Sequence, residues 1–256
     1  MMERGMTVSR ERAAGLILAG RVLVDEQKVT KAGAAVDEAS AIRVLGEEMP
    51  FVSRGGLKLR GALDTWSIDL AGRIGVDVGA STGGFTDCML QAGAAAVVAV
   101  DTGYGQMAMS IRTDQRVRLL ERTNARLLQP ATLLQQSDML IAMLGLPSQR
   151  PSFLCMDVSF ISATLVLPAV VHALAAEGSR WQGEAVVLVK PQFEAGREWV
   201  RKGGIVRDAE GHRIAIDRVR NAVATLGGTV ADVIESPITG AEGNHEFLLH
   251  AHFSLG

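Results

Sequence analysis

Four charged residues stand where their charge needs an explanation. Asp157 closes the apolar run Phe153-Leu-Cys-Met156, and Lys190 closes Ala185-Val-Val-Leu-Val189. A charge at the end of an apolar strand lies at a cleft rim or is buried, and a buried charge must be paired. Lys58, in SRGGLK, and Glu246, after Gly243-Asn-His245, would each pass alone as a surface residue. As a set, two lysines and two acids can handle a proton. Like charge and desolvation lower a lysine's pKa, whereas neighbouring acids raise it. With a net lowering, Lys190 serves as a general base towards a hydroxyl.

The second chemical signal is Val76-Asp77-Val78-Gly79-Ala80-Ser81-Thr82-Gly83-Gly84-Phe85, between a strand pattern and a helix pattern. Glycines there let the backbone turn tightly and approach a ligand. In an open parallel sheet, ligands bind beyond the carboxyl ends of the strands. Asp101 ends the next strand, placed to accept from the ribose hydroxyls of an adenosine ligand. The spacing G-x-x-x-G-G differs from the G-x-G-x-x-G of dinucleotide enzymes, and no Gly-Lys-Ser/Thr follows to make a phosphate loop. Asp77, two residues before the first glycine, suits a ligand with an ammonium group, as S-adenosylmethionine has. A dinucleotide and a ligand-free turn remain as alternatives.

These groups need a frame to converge. Residues 53–66 read as a helix. Strand patterns follow at 73–78, 96–101, 117–121, 153–157 and 185–190, with helices at 83–92, 159–176 and 209–226. Apolar strands alternating with helices indicate a parallel sheet covered on both faces. Strands at 230–235 and 246–252 read as an antiparallel hairpin at its edge. Ahead of this lies a small module. Ser9 caps a helix that Gly20 ends, residues 21–25 form a strand, 26–28 a turn, and 41–45 another strand.

Composition removes several function classes. The 256 residues are 48% hydrophobic and 21% charged, which excludes a mainly disordered chain. The formal net charge of −2 excludes a protein that coats nucleic acid by bulk charge. Cys88 and Cys155 make neither a CxxC pair nor a metal spacing, which fits a reducing cytoplasm and no metal. The longest apolar run, residues 92–100, is too short to span a bilayer, and the charged N-terminus lacks a signal-peptide core. The expected location is cytoplasmic, away from membranes.

Eight stretches carry a family resemblance: SRERAAGLILAGRVLVD, VSRGGLKLRGALD, DVGASTGGFTDCMLQAGA, VAVDTGYGQ, ERTNAR, MDVSFIS, VKPQFEAGR and SPITGAEGNHEF. Over nearly its whole length the chain resembles the TlyA (hemolysin A-like) family of ribosomal RNA 2′-O-methyltransferases. The resemblance implies an α/β, Rossmann-like class I methyltransferase domain of FtsJ type at 53–256. Its mostly parallel seven-stranded sheet would have an antiparallel last strand. It also implies a linker at 47–52 and an RNA-binding module of alpha-L type at 1–46. That module usually opens with a further helix; only eight residues precede Ser9 here, so either the module is shortened or the chain starts upstream.

By motif, Lys58, Asp157, Lys190 and Glu246 match the family's Lys-Asp-Lys-Glu tetrad. Gly79, Ala80, Ser81, Gly83, Gly84 and Phe85 would wrap S-adenosylmethionine, with Asp101 on its ribose and Asn124 towards its adenine. The implied acceptor is a cytidine 2′-hydroxyl of ribosomal RNA, free or in a ribosomal subunit. A non-catalytic RNA-binding protein, a cytolysin and an NAD-dependent oxidoreductase are the rival readings.

Basic residues cluster at Arg10, Arg12, Arg21, Lys28 and Lys31, at Arg54 and Arg60 beside Lys58, and at Arg197, Arg201, Lys202 and Arg207. Such clusters suit phosphate contacts. An aromatic content of 4% argues against stacking as the main grip and for a structured RNA recognised by shape and backbone.

Overall fold

The computed structural model describes residues 1–7, 9–45, 49–176, 178–240 and 243–254, in two compact units, Met1–Met49 and Pro50–Gly256. Two of the six residues of the expected linker 47–52, residues 47 and 48, lie outside the described residues. Phe51 belongs to the second unit, where it is buried in the core.

In the first unit Ser9 caps α1 (Arg10–Leu18), its Oγ accepting from Arg12 N at 3.1 Å. Gly20 then turns the chain with φ +64°. β1 (Val22–Val24), β2 (Gln27–Val29) and β3 (Ile42–Val44) form an antiparallel sheet in the order β2-β1-β3. The hairpin turn sits at Asp25 and Glu26, earlier than the 26–28 expected. Both residues have positive φ, as the tight turns that match strand twist require. That releases Gln27 and Lys28 to pair with Val24 and Leu23.

The second unit begins with α2 (Gly55–Trp66). β4 (Ile74–Val78), α3 (Gly84–Gln91), β5 (Ala96–Val100), the short α4 (Met109–Arg112) and β6 (Val117–Leu120) follow. After them come α5 (Thr132–Leu144), β7 (Phe153–Met156), α6 (Ala163–Leu174), β8 (Gly183–Val189) and the one-turn α7 (Pro191–Glu194). α8 (Ala209–Thr225), β9 (Gly228–Glu235) and β10 (Phe247–Phe253) complete it.

The seven strands are ordered β6-β5-β4-β7-β8-β10-β9. β10 runs antiparallel to both neighbours, and the remaining pairs are parallel. The last two strands do pair as a hairpin, but β10 enters the sheet and β9 takes the edge. Every residue of β4, β5 and β7 is buried, so both faces of the sheet are covered. On one face Leu59 and Leu63 of α2 and Met89 of α3 pack on Val97, Phe153 and Leu188. On the other, Leu133 and Leu140 of α5, Leu167 and Val170 of α6 and Val219 of α8 pack on Val76, Val98 and Leu154.

Four helices of this unit differ from expectation. α5 and the short α4 and α7 lie in stretches the periodicity left unassigned. α6 begins at Ala163 rather than 159, because Ser162 caps it and Phe160, at φ +65°, interrupts a helix. Residues 157–162 are therefore a loop at the carboxyl end of β7.

Candidate active site

β7 and β8 are parallel neighbours, so Asp157 and Lys190, each one residue past its strand, stand side by side. The β10 register, Phe247 opposite Val189, sets Glu246 at the same level. Lys58 comes down from α2. Its Nζ donates to Glu246 Oε2 at 2.6 Å and lies 3.8 Å from Asp157 Oδ2. Lys190 Nζ pairs with Asp157 Oδ1 at 2.6 Å and donates to Ser159 Oγ at 2.6 Å. The four charged groups thus form one chain, Glu246–Lys58–Asp157–Lys190. Lys58, Lys190 and Glu246 are at most 9% exposed. In such surroundings a single deletion would strand a buried charge.

Two clefts meet at this chain. The first, about 540 Å³, is lined by Gly79, Ser81, Asp101, Asn124, Asp157 and Phe160, among others. The second, about 390 Å³, is lined by Arg54, Lys58, Ala80, Gly84, Phe85 and Thr239, among others. Gly79, Ser81 and Asp157 line both. Gly79 has φ +87°, and a Cβ there would collide with the Asp157 carbonyl. A Cβ at Gly84 would collide with Ser53 Oγ, so the loop sits tightly between β7 and the start of α2.

The expected ligand residues divide between these clefts. Asp101 faces the first, its Oδ2 accepting from Ser81 N at 2.7 Å and its Oδ1 from Gly103 N at 2.6 Å. This fixes the carboxylate and leaves lone pairs for hydroxyl donors. Asn124 is exposed in the same cleft. Ala80, Gly84 and Phe85 face the second cleft, and Gly83 lines neither, capping α3 at φ +92° instead. Asp77 is fully buried beneath the loop. Its Oδ2 accepts from Thr86 Oγ1 at 2.6 Å, and its Oδ1 has no partner among the described residues. Burial pushes its pKa up to about 7. Burial pushes the Cys88 thiol up to about 12 and raises that of Cys155 as well.

Three of the expected RNA contacts are engaged within their own units. Arg12 bonds the carbonyl of Met49, Arg21 Nε donates to Leu45 O at 2.8 Å, and Arg60 Nε donates to Asp64 Oδ1 at 2.9 Å. Arg10, Lys28 and Arg54 are exposed, Arg54 on the second cleft. Sequence reasoning did not single out Ser159 or Phe160. Phe160 is 93% exposed at the rim of the first cleft, its ring 5.7 Å from that of Phe193. The one signal was their place directly after Asp157. Glu194 holds this loop, accepting from Ser162 Oγ at 2.5 Å and Ala163 N at 2.7 Å.

A mostly parallel seven-stranded sheet with its sixth position antiparallel, and clefts beyond its carboxyl edge, is a methyltransferase fold. The FtsJ-like methyltransferase model matches residues 51–253. The chain belongs to the FtsJ-like methyltransferases, in the group that includes TlyA and hemolysin A, and S-adenosylmethionine is the methyl donor of this class. It is 42% identical over 250 residues to the 16S/23S rRNA (cytidine-2′-O)-methyltransferase TlyA of Mycobacterium tuberculosis, covering 97% of this chain and 86% of that protein. It is 37% identical over 246 residues to hemolysin A of Brachyspira hyodysenteriae, covering 96% and 95%. A solved structure from Streptococcus thermophilus, provisionally called a hemolysin, superimposes with a TM-score of 0.72 at 38% identity, covering 98% of this chain and 86% of that one.

Two outcomes follow. Gly79→Ala forces a side chain onto the Asp157 carbonyl at positive φ. It should weaken S-adenosylmethionine binding about tenfold or more, roughly 1.4 kcal/mol, read by calorimetric titration. For Asp77, the folded pKa near 7 exceeds the unfolded value, so the folded state holds a proton that the unfolded chain releases above about pH 4. Its contribution to stability is full below that pH and is lost as the pH rises to 7. Asp77→Asn should flatten the fall in urea midpoint between pH 5 and 7.5; an unchanged fall would place the effect elsewhere.

Proposed function

We propose that this protein transfers the methyl group of S-adenosylmethionine to a ribose 2′-hydroxyl of ribosomal RNA, a cytidine's, in the cytoplasm. The observation that carries the reading is the ion chain at the meeting of two clefts. A methyl donor lying along the glycine loop from one cleft to the other would present its methyl group near Asp157, where an acceptor hydroxyl could meet it. The ribosomal substrate and the cytidine rest on the names of the relatives.

Asp101 and Asn124 would hold the nucleoside end of the donor, and Ser81, Ala80, Gly84 and Phe85 its methionine end. The donor supplies an electrophilic methyl on a sulfonium, so the protein's task is to align the acceptor oxygen and remove its proton. Lys190, entering the step as the neutral amine, takes that proton on Nζ as the oxygen–carbon bond forms and the carbon–sulfur bond breaks, and the resulting ammonium pairs with Asp157. Asp157 and Ser159 aim Lys190. Glu246 fixes Lys58, which orients the ribose. Phe160 offers the acceptor's base an exposed face for stacking, worth about 1–3 kcal/mol. The first unit is the RNA-binding module, gripping phosphates through exposed Arg10, Lys28 and Lys31, with Arg54 adding a contact beside the site. A lytic role would leave the four-membered ion chain without work, and among the described residues no helix is long and apolar enough to cross a membrane.

The test is transfer of tritiated methyl to separated ribosomal subunits and to naked rRNA. Label should map to a 2′-O-methylcytidine. Lys190→Ala should abolish transfer, by about a hundredfold or more for loss of a general base, and retain donor binding. Full activity in that variant would remove Lys190 as the base. Phe160→Ala should raise the KM for RNA about tenfold with donor affinity unchanged; an unaltered KM would deny it the stacking role.

A further inference from the structure

A second cluster of polar groups lies at the other end of the sheet. Glu184 sits near the start of β8, and His250 and His252 lie on β10, two residues apart and therefore on one face. His252 is the register partner of Glu184. His252 is six residues along β10 from Glu246, roughly 20 Å at strand rise, so the cluster is separate from the ion chain.

The donor atoms converge. His250 Nε2 lies 3.5 Å and His252 Nδ1 3.8 Å from Glu184 Oε1, and one donor atom from each residue falls within 4.8 Å of the others. Ligands about 2.0–2.2 Å from a tetrahedral zinc ion are separated by roughly 3.3–3.6 Å, so the cluster needs only a small contraction. Each group is also held. Trp66 stacks on the His250 ring at 4.9 Å, and Trp66 Nε1 donates to Asp232 Oδ2 at 3.0 Å. Arg73 occupies the other Glu184 oxygen, Oε2, and bonds Ser152, which leaves Oε1 facing the imidazoles. His250 is 6% exposed, and its Nε2 makes no hydrogen bond among the described residues. Buried nitrogens of this kind are ordinarily satisfied. His252 is half exposed, which gives an ion a route in and leaves water a coordination position.

We propose that Glu184, His250 and His252 bind one divalent transition-metal ion of the zinc class, which staples β8 to β10. Two imidazoles and a carboxylate favour zinc, or cobalt in its place, over magnesium or calcium, which prefer all-oxygen sites. The Arg73 guanidinium orients the carboxylate from outside, as partners of metal ligands commonly do. The ion takes no part in methyl transfer.

Metal-stripped, full-length protein titrated with cobalt(II) should develop visible ligand-field absorption that saturates at one equivalent, and zinc should displace it. One equivalent of zinc should raise the melting temperature. His252→Gln, at an exposed position that leaves the core intact, and Glu184→Gln should each weaken zinc binding about tenfold or more. His245→Gln, altering the exposed histidine beside Glu235, should leave affinity unchanged. Absence of a one-equivalent site, wild-type affinity in His252→Gln, equal weakening in His245→Gln, or magnesium binding as tight as zinc would each overturn the proposal.

Discussion

A lysine ammonium can be buried only beside a carboxylate, and this active site buries two lysines with Glu246 and sets the half-buried Asp157 between them. Glu246 pairs with Lys58, Lys58 reaches Asp157, and Asp157 pairs with Lys190. The group is neutral as a whole, which lets it persist where water is sparse. Its members come from α2, β7, β8 and the approach to β10, so these elements must share one level. Much of the surrounding architecture serves that requirement. Gly79 allows the loop to lie against Asp157, and a side chain at Gly240 would collide with the Glu246 carboxylate. Asn244 ties the segment before Glu246 to the loop at 204–206, accepting from Val206 N at 3.1 Å and donating to Gly204 O at 3.0 Å.

The legible part of the sequence was the part where one local cause dominates. Apolar strands bounded by glycine located the sheet, and a charge ending two of them marked Asp157 and Lys190. Lys58 and Glu246 carried no such mark, because their significance lies in a pairing across 188 positions; they joined the set as residues unremarkable alone, and the family resemblance gave them their place in a tetrad. α5 escaped because it opens after Ala131, a positive-φ residue with no side-chain cap to announce it. Ser159 and Phe160 read as the first turn of a helix, and only the Lys190 contact and the positive φ at Phe160 reveal a loop. The glycine motif announced a ligand but not which wall of which cleft each residue would form, since that depends on where α2 packs.

Charge counting was least informative about basic side chains. Arg12 and Arg21 read as phosphate ligands, yet both reach main-chain carbonyls of their own small unit. A unit with three short strands and one helix has little apolar surface to bury, and guanidinium groups bridging its carbonyls compensate. Arg10 and Lys28 retain the exposure that an electrostatic surface needs.

The place of β10 has a consequence for how the protein comes into being. β10 is made after β9, yet it occupies an interior position and stands between β9 and the rest of the sheet. Until β10 has been made, β9 lacks its partner in the sheet and Lys58 lacks the Glu246 carboxylate. A nascent chain that has not yet delivered β10 carries a glycine loop without a completed site. Maturation of the site is timed by the order of the polypeptide itself.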